Sequence, residues 1–476
     1  MTLGPLIVQS DQTVLLEVAH PDAEAARHAL AVFAELERAP EHIHSYRITR
    51  LGLWNARAAG HTAEEILGTL NTYAKFPVPS SVATEISDTM RRYGRLVIER
   101  DDEGALLLRS DEPAVLREVA STKKIAPLLG TQRDESTYEV GEWARGELKQ
   151  QLIARGWPAE DLAGYTDGEP FEMELVQSDW HLRDYQKQAV DAFAEGGSGV
   201  VVLPCGAGKT IVGAAAMTRV GAKTLILVTN AVSARQWREE LLRRTSLTPD
   251  DIAEYSGQVK EVGPVTIATY QILTSRRKGN YTHLSLFDAE DWGLIIYDEV
   301  HLLPAPVFKL TAELQARRRI GLTATLVRED GREGDVFSLI GPKRFDAPWK
   351  DIEAQGFIAP AECVEVRLDL PDATRLEYAA AEDQDRYRIA SSSAAKHRVA
   401  QAIVDHHRGE QTLVIGQYIS QLENIAAALD APLLTGQTPV DERERLFQQF
   451  RDGSVSTLVV SKVCLLYTSP SPRDRG

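Results

Sequence analysis

Leu203-Pro204-Cys205-Gly206-Ala207-Gly208-Lys209-Thr210 follows the apolar run Val200 to Val202 and precedes the alanine-rich stretch Ile211 to Val220. That order predicts a buried strand turning sharply into a helix, with the glycines at the turn. Gly206 and Gly208 let main-chain amides curl around an anion with no Cβ in the way, and the helix N-terminus adds partial positive charge. Pro204, Cys205, Gly206, Ala207 and Gly208 then form a phosphate-binding loop. Lys209 reaches the terminal phosphates, and the Thr210 hydroxyl can ligate Mg²⁺. The ligand this chemistry calls for is Mg-ATP. Leu203 stands where the strict G-x-x-x-x-G-K-[ST] pattern has its first glycine, so the loop needs support from a second site.

Gly293-Leu294-Ile295-Ile296-Tyr297 supplies that support, because this apolar run, typical of a central parallel strand, ends in Asp298-Glu299-Val300-His301. Asp298 would hold Mg²⁺ through its water shell while Glu299 orients and deprotonates the attacking water, the division of labour that phosphoryl transfer to water requires. Lys209, Asp298 and Glu299 are therefore the candidate catalytic residues, and Thr210 and Asp298 the candidate metal ligands. Further strands are expected at Gly199 to Leu203, Thr224 to Thr229, Val265 to Ala268 and Arg319 to Leu322, separated by helical stretches such as Ala234 to Arg244. The fold class is α/β, a doubly wound parallel sheet. A second α/β run begins near Ala361, with strands at Thr412 to Ile415 and Thr457 to Val460 and a helix at Asp441 to Phe450.

The 476 residues suffice for about three domains. Net charge is −16, which excludes a protein that coats DNA through overall basicity. The acid is concentrated in residues 1–180, with 30 acidic against 18 basic side chains, leaving the rest nearly balanced. Arg235, Arg238, Arg243 and Arg244, or Arg317, Arg318 and Arg319, then make either a local basic groove or solvated helix faces. Cys205, Cys363 and Cys464 are the only cysteines, too few for a disulfide framework. No run approaches the roughly 18 apolar residues of a membrane span, and Met1 to Ser10 lacks the order of a secretory signal, so a cytoplasmic location is expected.

Residues 62–109 read as helix, helix, hairpin, with Pro77 and Pro79 between the segments and Asp101-Asp102-Glu103-Gly104 as the turn. The order resembles a winged helix. The acidic wing makes a protein-contact or regulatory role at least as suitable as DNA binding. Gly156, Pro158, Gly164, Gly168 and Pro170 mark 156–178 as a linker.

Leu182-Arg183-Asp184-Tyr185-Gln186, the Pro204 to Thr210 loop, Asp298-Glu299-Val300-His301 and Leu322-Thr323-Ala324-Thr325 occur in the order and spacing of superfamily 2 helicases. Arg328-Glu329-Asp330 resembles the R-E-D element of the XPB family, and Gly341-Pro342-Lys343 with Ala347-Pro348-Trp349-Lys350 strengthens the likeness. The resemblance runs from about Gly4 to Val463 and is weakest at the amino-terminal end. It implies an ATP-dependent DNA helicase or translocase with RecA-like lobes, acting in repair or transcription-linked opening, nucleoid-associated, with a nuclease as a further partner. The domain map it implies is an accessory region at 1–155, the linker, a first lobe at 179–327 and the R-E-D connector at 328–360. A partial second lobe follows at 361–463, with a thumb-like segment at 372–397. A restriction-type or RNA-remodelling motor and a nucleotide-gated scaffold are the alternatives.

By the same resemblance Gln186, with Arg183 nearby, reads adenine, since an amide can both donate to and accept from a base edge. Thr229, Asn230, Arg235, Gln236, Thr269 and Tyr270 track a DNA backbone without reading sequence, as do Gln417, Thr435 and Gly436 in the second lobe. Trp237 and Tyr270 are each either core or a stacking platform. His301, Thr323 and Thr325 couple the state of the γ-phosphate to the DNA groove. Arg328, Glu329 and Asp330 act in duplex opening or form a plain surface ion-pair loop.

The likeness continues through Leu458 to Val463 and then stops. Family members supply a Q-x-x-G-R-x-x-R helix whose arginines stabilise charge on the transferred phosphoryl group. Residues 464–476 instead look like read-through of foreign sequence, with a true truncated isoform as the alternative. On the read-through reading the polypeptide binds ATP but hydrolyses it at least about 10³-fold more slowly than an intact relative, the scale lost without an arginine finger. Near-normal DNA-stimulated turnover by the purified chain would contradict this.

Overall fold

Val200-Val201-Val202 and Leu225-Ile226-Leu227 are apolar at every position, so as strands they need cover on both faces. The structure, a computed structural model, describes residues 4–39, 42–257, 259–277, 280–281, 283–304, 307, 311, 317–324, 333–360, 362 and 364–461. Its central feature is a seven-stranded parallel sheet. The strands run in the order Ile252–Tyr255, Val265–Thr269, Thr224–Val228, Leu294–Asp298, Arg318–Thr323, Ser198–Val202 and Lys343–Asp346. The two-residue period divides these strands between two cores. Val201, Ile226, Ile267, Ile296 and Leu322 pack under the helices Asp184–Gly196, Lys209–Val220 and Ala231–Arg244. Val200, Leu225, Leu227, Ile295 and Tyr297 face the other way, onto Tyr270, Val300, Val307 and Val336.

This topology brings the carboxyl ends of Ser198–Val202, Thr224–Val228, Val265–Thr269 and Leu294–Asp298 to one edge, where ligands of doubly wound sheets bind. The arginine cluster at 317–319 makes neither a groove nor a helix face. Arg319 lies fully buried in a central strand and donates through Nε to the Leu339 carbonyl at 2.8 Å, while Arg318 pairs with Asp167 at 3.0 Å and Arg317 with Asp291. A buried guanidinium needs such partners, and composition alone does not disclose them.

Two further sheets precede the motor sheet in the chain. Leu6–Val8, Thr13–Glu17, Ile43–Ile48 and Ala34–Arg38 form an antiparallel sheet in that order. The helices Ala63–Tyr73, begun by a Thr62/Glu65 capping box, and Ser80–Arg92 bury Ile66, Leu70, Val82 and Ile86 against it. The hairpin of Leu96–Arg100 and Leu106–Arg109 forms at the expected turn, but its apolar residues Leu96, Ile98 and Leu108 join a different core and a different, five-stranded sheet. Helices and hairpin that read as one unit in sequence thus divide between two cores.

The segment 156–178 is strapped down rather than a free linker. Ala159–Asp161 pairs parallel to Leu96–Arg100, and beyond it Glu169, Phe171 and Val176 donate main-chain hydrogen bonds to Asp291, Gly221 and Arg244. Three of its carboxylates, Asp161, Asp167 and Glu169, are paired with cations. Glu169 lies 2.7 Å from Lys223, and Asp161 sits between Arg145 at 2.7 Å and Lys149 at 2.8 Å.

The described residues fall into two compact units, one within Met1–Ala361 and one within Glu362–Pro470. The second has a three-stranded parallel sheet ordered Thr412–Gly416, Thr457–Ser461, Leu433–Leu434. Leu434, Leu458 and Val460 pack with Leu446 and Phe447 on one face, and Val459 with Leu422 and Ile425 on the other. The charged stretch after Asp372 forms the helices Asp372–Ala380, Asp383–Ser391 and Ala394–His406. Residues 464–476 lie outside the described residues. Among the described residues no helix is long and apolar enough to cross a membrane.

The trio around Asp161 is the most buried ionic cluster of the amino-terminal region. Burial pushes the Lys149 ammonium down to about 8 against the opposing pull of Asp161, so it stays charged at neutral pH. Burial alone would raise the Asp161 carboxyl, but Lys149 and Arg145 hold it well below the carboxylate range. A depressed carboxyl stabilises the fold above its unfolded value, about 4, and loses that contribution as the pH falls through the folded value. Asp161→Asn leaves two buried cations facing a neutral group and is expected to cost about 3–5 kcal/mol at pH 7. In thermal unfolding the gap between variant and parent should narrow as the pH is lowered from 5 toward 2; a gap constant with pH would contradict the ionic account.

Candidate active site

The loop after Val202 is anchored before it turns, since the Leu203 amide donates to the Thr323 carbonyl of the neighbouring strand at 2.9 Å. Gly206 and Gly208 take φ values of 81° and 83°, the left-handed region that favours glycine. At Gly208 a Cβ would also lie 2.6 Å from the Gln186 side-chain nitrogen. The helix Lys209–Val220 begins directly after it and ends at Gly221, again left-handed. The first-turn residues Lys209 and Thr210 are half-buried.

Gln186 and Tyr185 brace this loop from outside. Gln186 Nε2 and the Tyr185 hydroxyl donate to the Ala207 carbonyl at 2.9 Å and 2.8 Å, and Gln186 Oε1 accepts from the Arg183 amide at 3.0 Å. The amide expected to read a base edge is therefore buried and engaged with main chain, while the Arg183 guanidinium lies 4.3 Å above the Phe357 ring. In this arrangement Gln186 sets the shape of the loop.

Lys209 Nζ lies 2.8 Å from Glu299 Oε1, joining the loop to the acidic strand end. Burial would depress the ammonium, but Glu299, with help from Cys205 and Asp298, raises it above its ordinary value, so it remains a cation. Glu299 itself has φ 49° and ψ 54°, a left-handed conformation uncommon for a side chain-bearing residue, and it turns the chain out of the strand. Its other oxygen, Oε2, lies 3.4 Å from His301 Nδ1, which is 2.8 Å from Thr323 Oγ1. Thr323 is fully buried. Lys209, Glu299, His301 and Thr323 thus form one continuous polar chain across the ends of three strands.

Asp298 is held differently. Its Oδ1 accepts from the Glu299 amide at 3.1 Å and its Oδ2 from the Trp237 indole N–H at 3.0 Å, while its main-chain carbonyl accepts from the Tyr270 hydroxyl at 2.9 Å. Burial and then the adjacent Glu299 push its carboxyl up to about 6, with Trp237 and Lys209 pulling the other way. Two carboxylates face one ammonium at this site, so it has room in its charge balance for a further cation.

The remaining expected residues fall in several places. Thr229 and Asn230 follow the Thr224–Val228 strand, where Asn230 caps the Ala231–Arg244 helix through the Val232 and Ser233 amides and donates to Thr229 Oγ1. Arg235 and Gln236 are exposed on that helix, whereas Trp237 is buried core. Thr269 is buried at the end of its strand. Tyr270, expected along a DNA path, is 3 % exposed and supports the sheet end through Asp298. In the second unit Gln417 and Gly436 are exposed, and Thr435 Oγ1 accepts from the Gln437 amide at 3.3 Å. Thr325, Arg328, Glu329 and Asp330 lie outside the described residues. Sequence reasoning missed the grip of Trp237 and Tyr270 on Asp298. Both carry a donor that must find a partner when buried, and that was the available signal.

A phosphate loop and an acidic strand end meeting at the carboxyl edge of a parallel sheet define a nucleoside-triphosphate-driven motor with a RecA-like helicase fold. Residues 179–328 match the family described as type III restriction enzyme, res subunit, and residues 352–466 match ERCC3/RAD25/XPB C-terminal helicase. Residues 6–134 match the helicase conserved C-terminal domain. The chain is 66% identical over 463 residues to the DNA 3'-5' helicase XPB of Kineococcus radiotolerans, covering 97% of this chain and 83% of that protein. It is 63% identical over 463 residues to the protein of the same name from Mycobacterium tuberculosis, covering 97% and 84%. A subunit named general transcription and DNA repair factor IIH helicase/translocase subunit XPB, from Antonospora locustae, is 32% identical over 96% of this chain and 70% of its own length. The chain belongs to the XPB family of superfamily 2 helicases, ATP-dependent enzymes.

Because the folded-state value of Asp298 is raised, this group favours the fold below about pH 4, and the contribution is lost as the pH rises through 6. The Trp237 indole touches the titrating oxygen and reports it. The difference in tryptophan emission between the parent and Trp237→Phe should titrate with a midpoint near 6 in the nucleotide-free protein. Lys209→Ala removes a cation that holds Asp298 down, so it should move that midpoint upward. A midpoint in the ordinary carboxylate range, or a downward move, would contradict the electrostatic description.

Proposed function

We propose that this chain couples ATP hydrolysis at Lys209, Asp298 and Glu299 to translocation on, or opening of, duplex DNA, in repair or transcription-linked processes, with the 3'-to-5' direction carried in its relatives' names. The observation that carries the reading is the 2.8 Å contact of Lys209 with Glu299, which brings a phosphate-binding cation and a general base together. Mg²⁺ suits the donor set, since Thr210 supplies a hydroxyl, Asp298 a half-buried carboxylate, and the local charge leaves a second cation unopposed. When bound, Mg²⁺ would neutralise charge on the phosphates.

The residues divide the work. A triphosphate draws the Lys209 ammonium off Glu299 because it offers more negative charge, and the freed carboxylate can then accept a proton from water. His301 and Thr323 follow the movement of Glu299 toward the interior of the sheet, as a coupling path requires. Arg235 and Gln236, with Asn230 near the end of its strand, offer a sequence-independent surface to a DNA backbone on the same edge. Gln417, Thr435 and Gly436 would do so from a second RecA-like lobe at 361–463, and Arg328, Glu329 and Asp330 would act at the duplex junction. The amino-terminal region, 1–155, is an accessory domain whose acidic hairpin suits a protein contact better than DNA. A nuclease partner rests on resemblance alone.

Lys209→Ala should abolish Mg-ATP binding. Glu299→Gln should retain binding yet lower turnover by about 10²- to 10⁴-fold relative to the unaltered chain, the range for loss of a general base. In parallel assays with duplex DNA, single strands and RNA, duplex DNA should stimulate hydrolysis most. Stimulation by RNA alone would favour an RNA-remodelling motor, and unaltered nucleotide binding by Lys209→Ala would remove the basis for a motor.

A further inference from the structure

Two helices leave the carboxyl edge of the motor sheet, one after Thr224–Val228, which adjoins the acidic strand, and one after Val265–Thr269, the next strand on the same side, and each places a hydrogen bond on the same residue. Trp237, in Ala231–Arg244, donates to the Asp298 side chain at 3.0 Å; Tyr270, which opens Tyr270–Thr274, donates to the Asp298 main-chain carbonyl at 2.9 Å. Both rings are buried, at 1 % and 3 % exposure. Arg235 and Gln236 beside Trp237, and Gln271 beside Tyr270, are exposed. Each helix therefore has an outward face carrying amides or a cation and an inward face holding the acid that sits next to Glu299.

Packing alone does not require these donors, since a phenylalanine ring would fill the space of Tyr270 and much of that of Trp237 without a polar atom to satisfy. Burial and the nearby Asp298 push the Tyr270 hydroxyl well above its ordinary value, so it stays protonated and donates. The Trp237 ring also lies against the phosphate-loop helix, where a Cβ at Gly213 would overlap it. One indole thus touches the helix that carries Lys209 and the strand end that carries Asp298. A displacement of either outward-facing helix moves Asp298 through a single hydrogen bond.

We infer that Trp237 and Tyr270 are positioning residues that link occupancy of the outward faces of their helices by a polynucleotide backbone to the placement of Asp298, and hence to affinity for a magnesium-bound nucleotide. This rests on the phosphate-site reading of the loop at Lys209. Linkage makes the effect reciprocal: if DNA shifts Asp298 into place, nucleotide tightens DNA by the same factor.

The test uses binding, so it does not depend on turnover. A fluorescent analogue of ATPγS with Mg²⁺ is titrated into the full chain with and without a duplex oligonucleotide, and the ratio of the two Kd values is the coupling factor. For the parent chain a factor within about 5 to 150 is expected. Trp237→Phe keeps a ring and loses the donor, and Tyr270→Phe loses one oxygen; each should bring the factor at least about threefold nearer to one, and the double variant should reach one. Thermal unfolding identifies folded variants, and Tyr270→Phe decides the matter should Trp237→Phe fail to fold. A parent factor of one, or a parent-like factor in the folded variants, overturns the inference. Lys209→Ala separates the two levels: nucleotide binding that survives it sinks the phosphate-site reading itself. Binding lost in Lys209→Ala, together with parent-like coupling in Tyr270→Phe, sinks only the positioning role.

Discussion

The ion pair between Lys209 and Glu299 is the contact on which the rest of the site depends. It exists because two strand ends meet at one edge of a parallel sheet, one handing over to a glycine loop and the other to a pair of acids. A lysine at a helix start has anionic ligands as its natural partners. Here the Glu299 carboxylate lies against it at 2.8 Å. On the proposed reading, displacing Glu299 with phosphate would do two things at once: seat the substrate and release the base. Glu299 is engaged with Lys209, whereas the half-buried Asp298, its carboxyl pushed up, relies on hydrogen bonds from Trp237, Tyr270 and its own neighbour.

Function and stability pull against each other at this edge. A half-buried carboxyl raised to about 6 and a left-handed Glu299 both cost folding free energy, and both persist because the sheet around them is apolar on two faces. The Asp161 cluster differs in kind. There the carboxylate has two cations, and its role is to join the Ala159–Asp161 strand and the Arg145–Ala154 helix within the amino-terminal region. This cluster pairs its carboxylate twice and is structural. The other sets two carboxylates against one ammonium, in keeping with the metal-bound substrate proposed for it.

Much of this was legible in the residues themselves. Gly206 and Gly208 read as the turn from strand to helix and lie there, both left-handed; Leu294 to Tyr297 read as a buried strand ending in acids and is one. Such features are local, and local chemistry is what a sequence carries. The partners of Trp237 and Tyr270 were not legible, because a helical position says which face is buried and nothing about which acid lies beneath. Residues 156–178 misled for a related reason, since glycine, proline and carboxylates describe a turn-rich segment equally well whether its acids meet water or meet Lys149, Arg145 and Lys223. The arginines at 317–319 show the same limit: Arg319 has main-chain partners within the core that only the folded sheet reveals.

The central claim is that one ammonium serves two anions in turn. A crystal structure of the chain with Mg²⁺ and a non-hydrolysable ATP analogue tests it most directly. The account predicts Lys209 Nζ on the terminal phosphates, Glu299 released from it, and Asp298 still bonded to Trp237 on the metal's side. An analogue bound elsewhere, with the Lys209–Glu299 contact still at 2.8 Å, would contradict it.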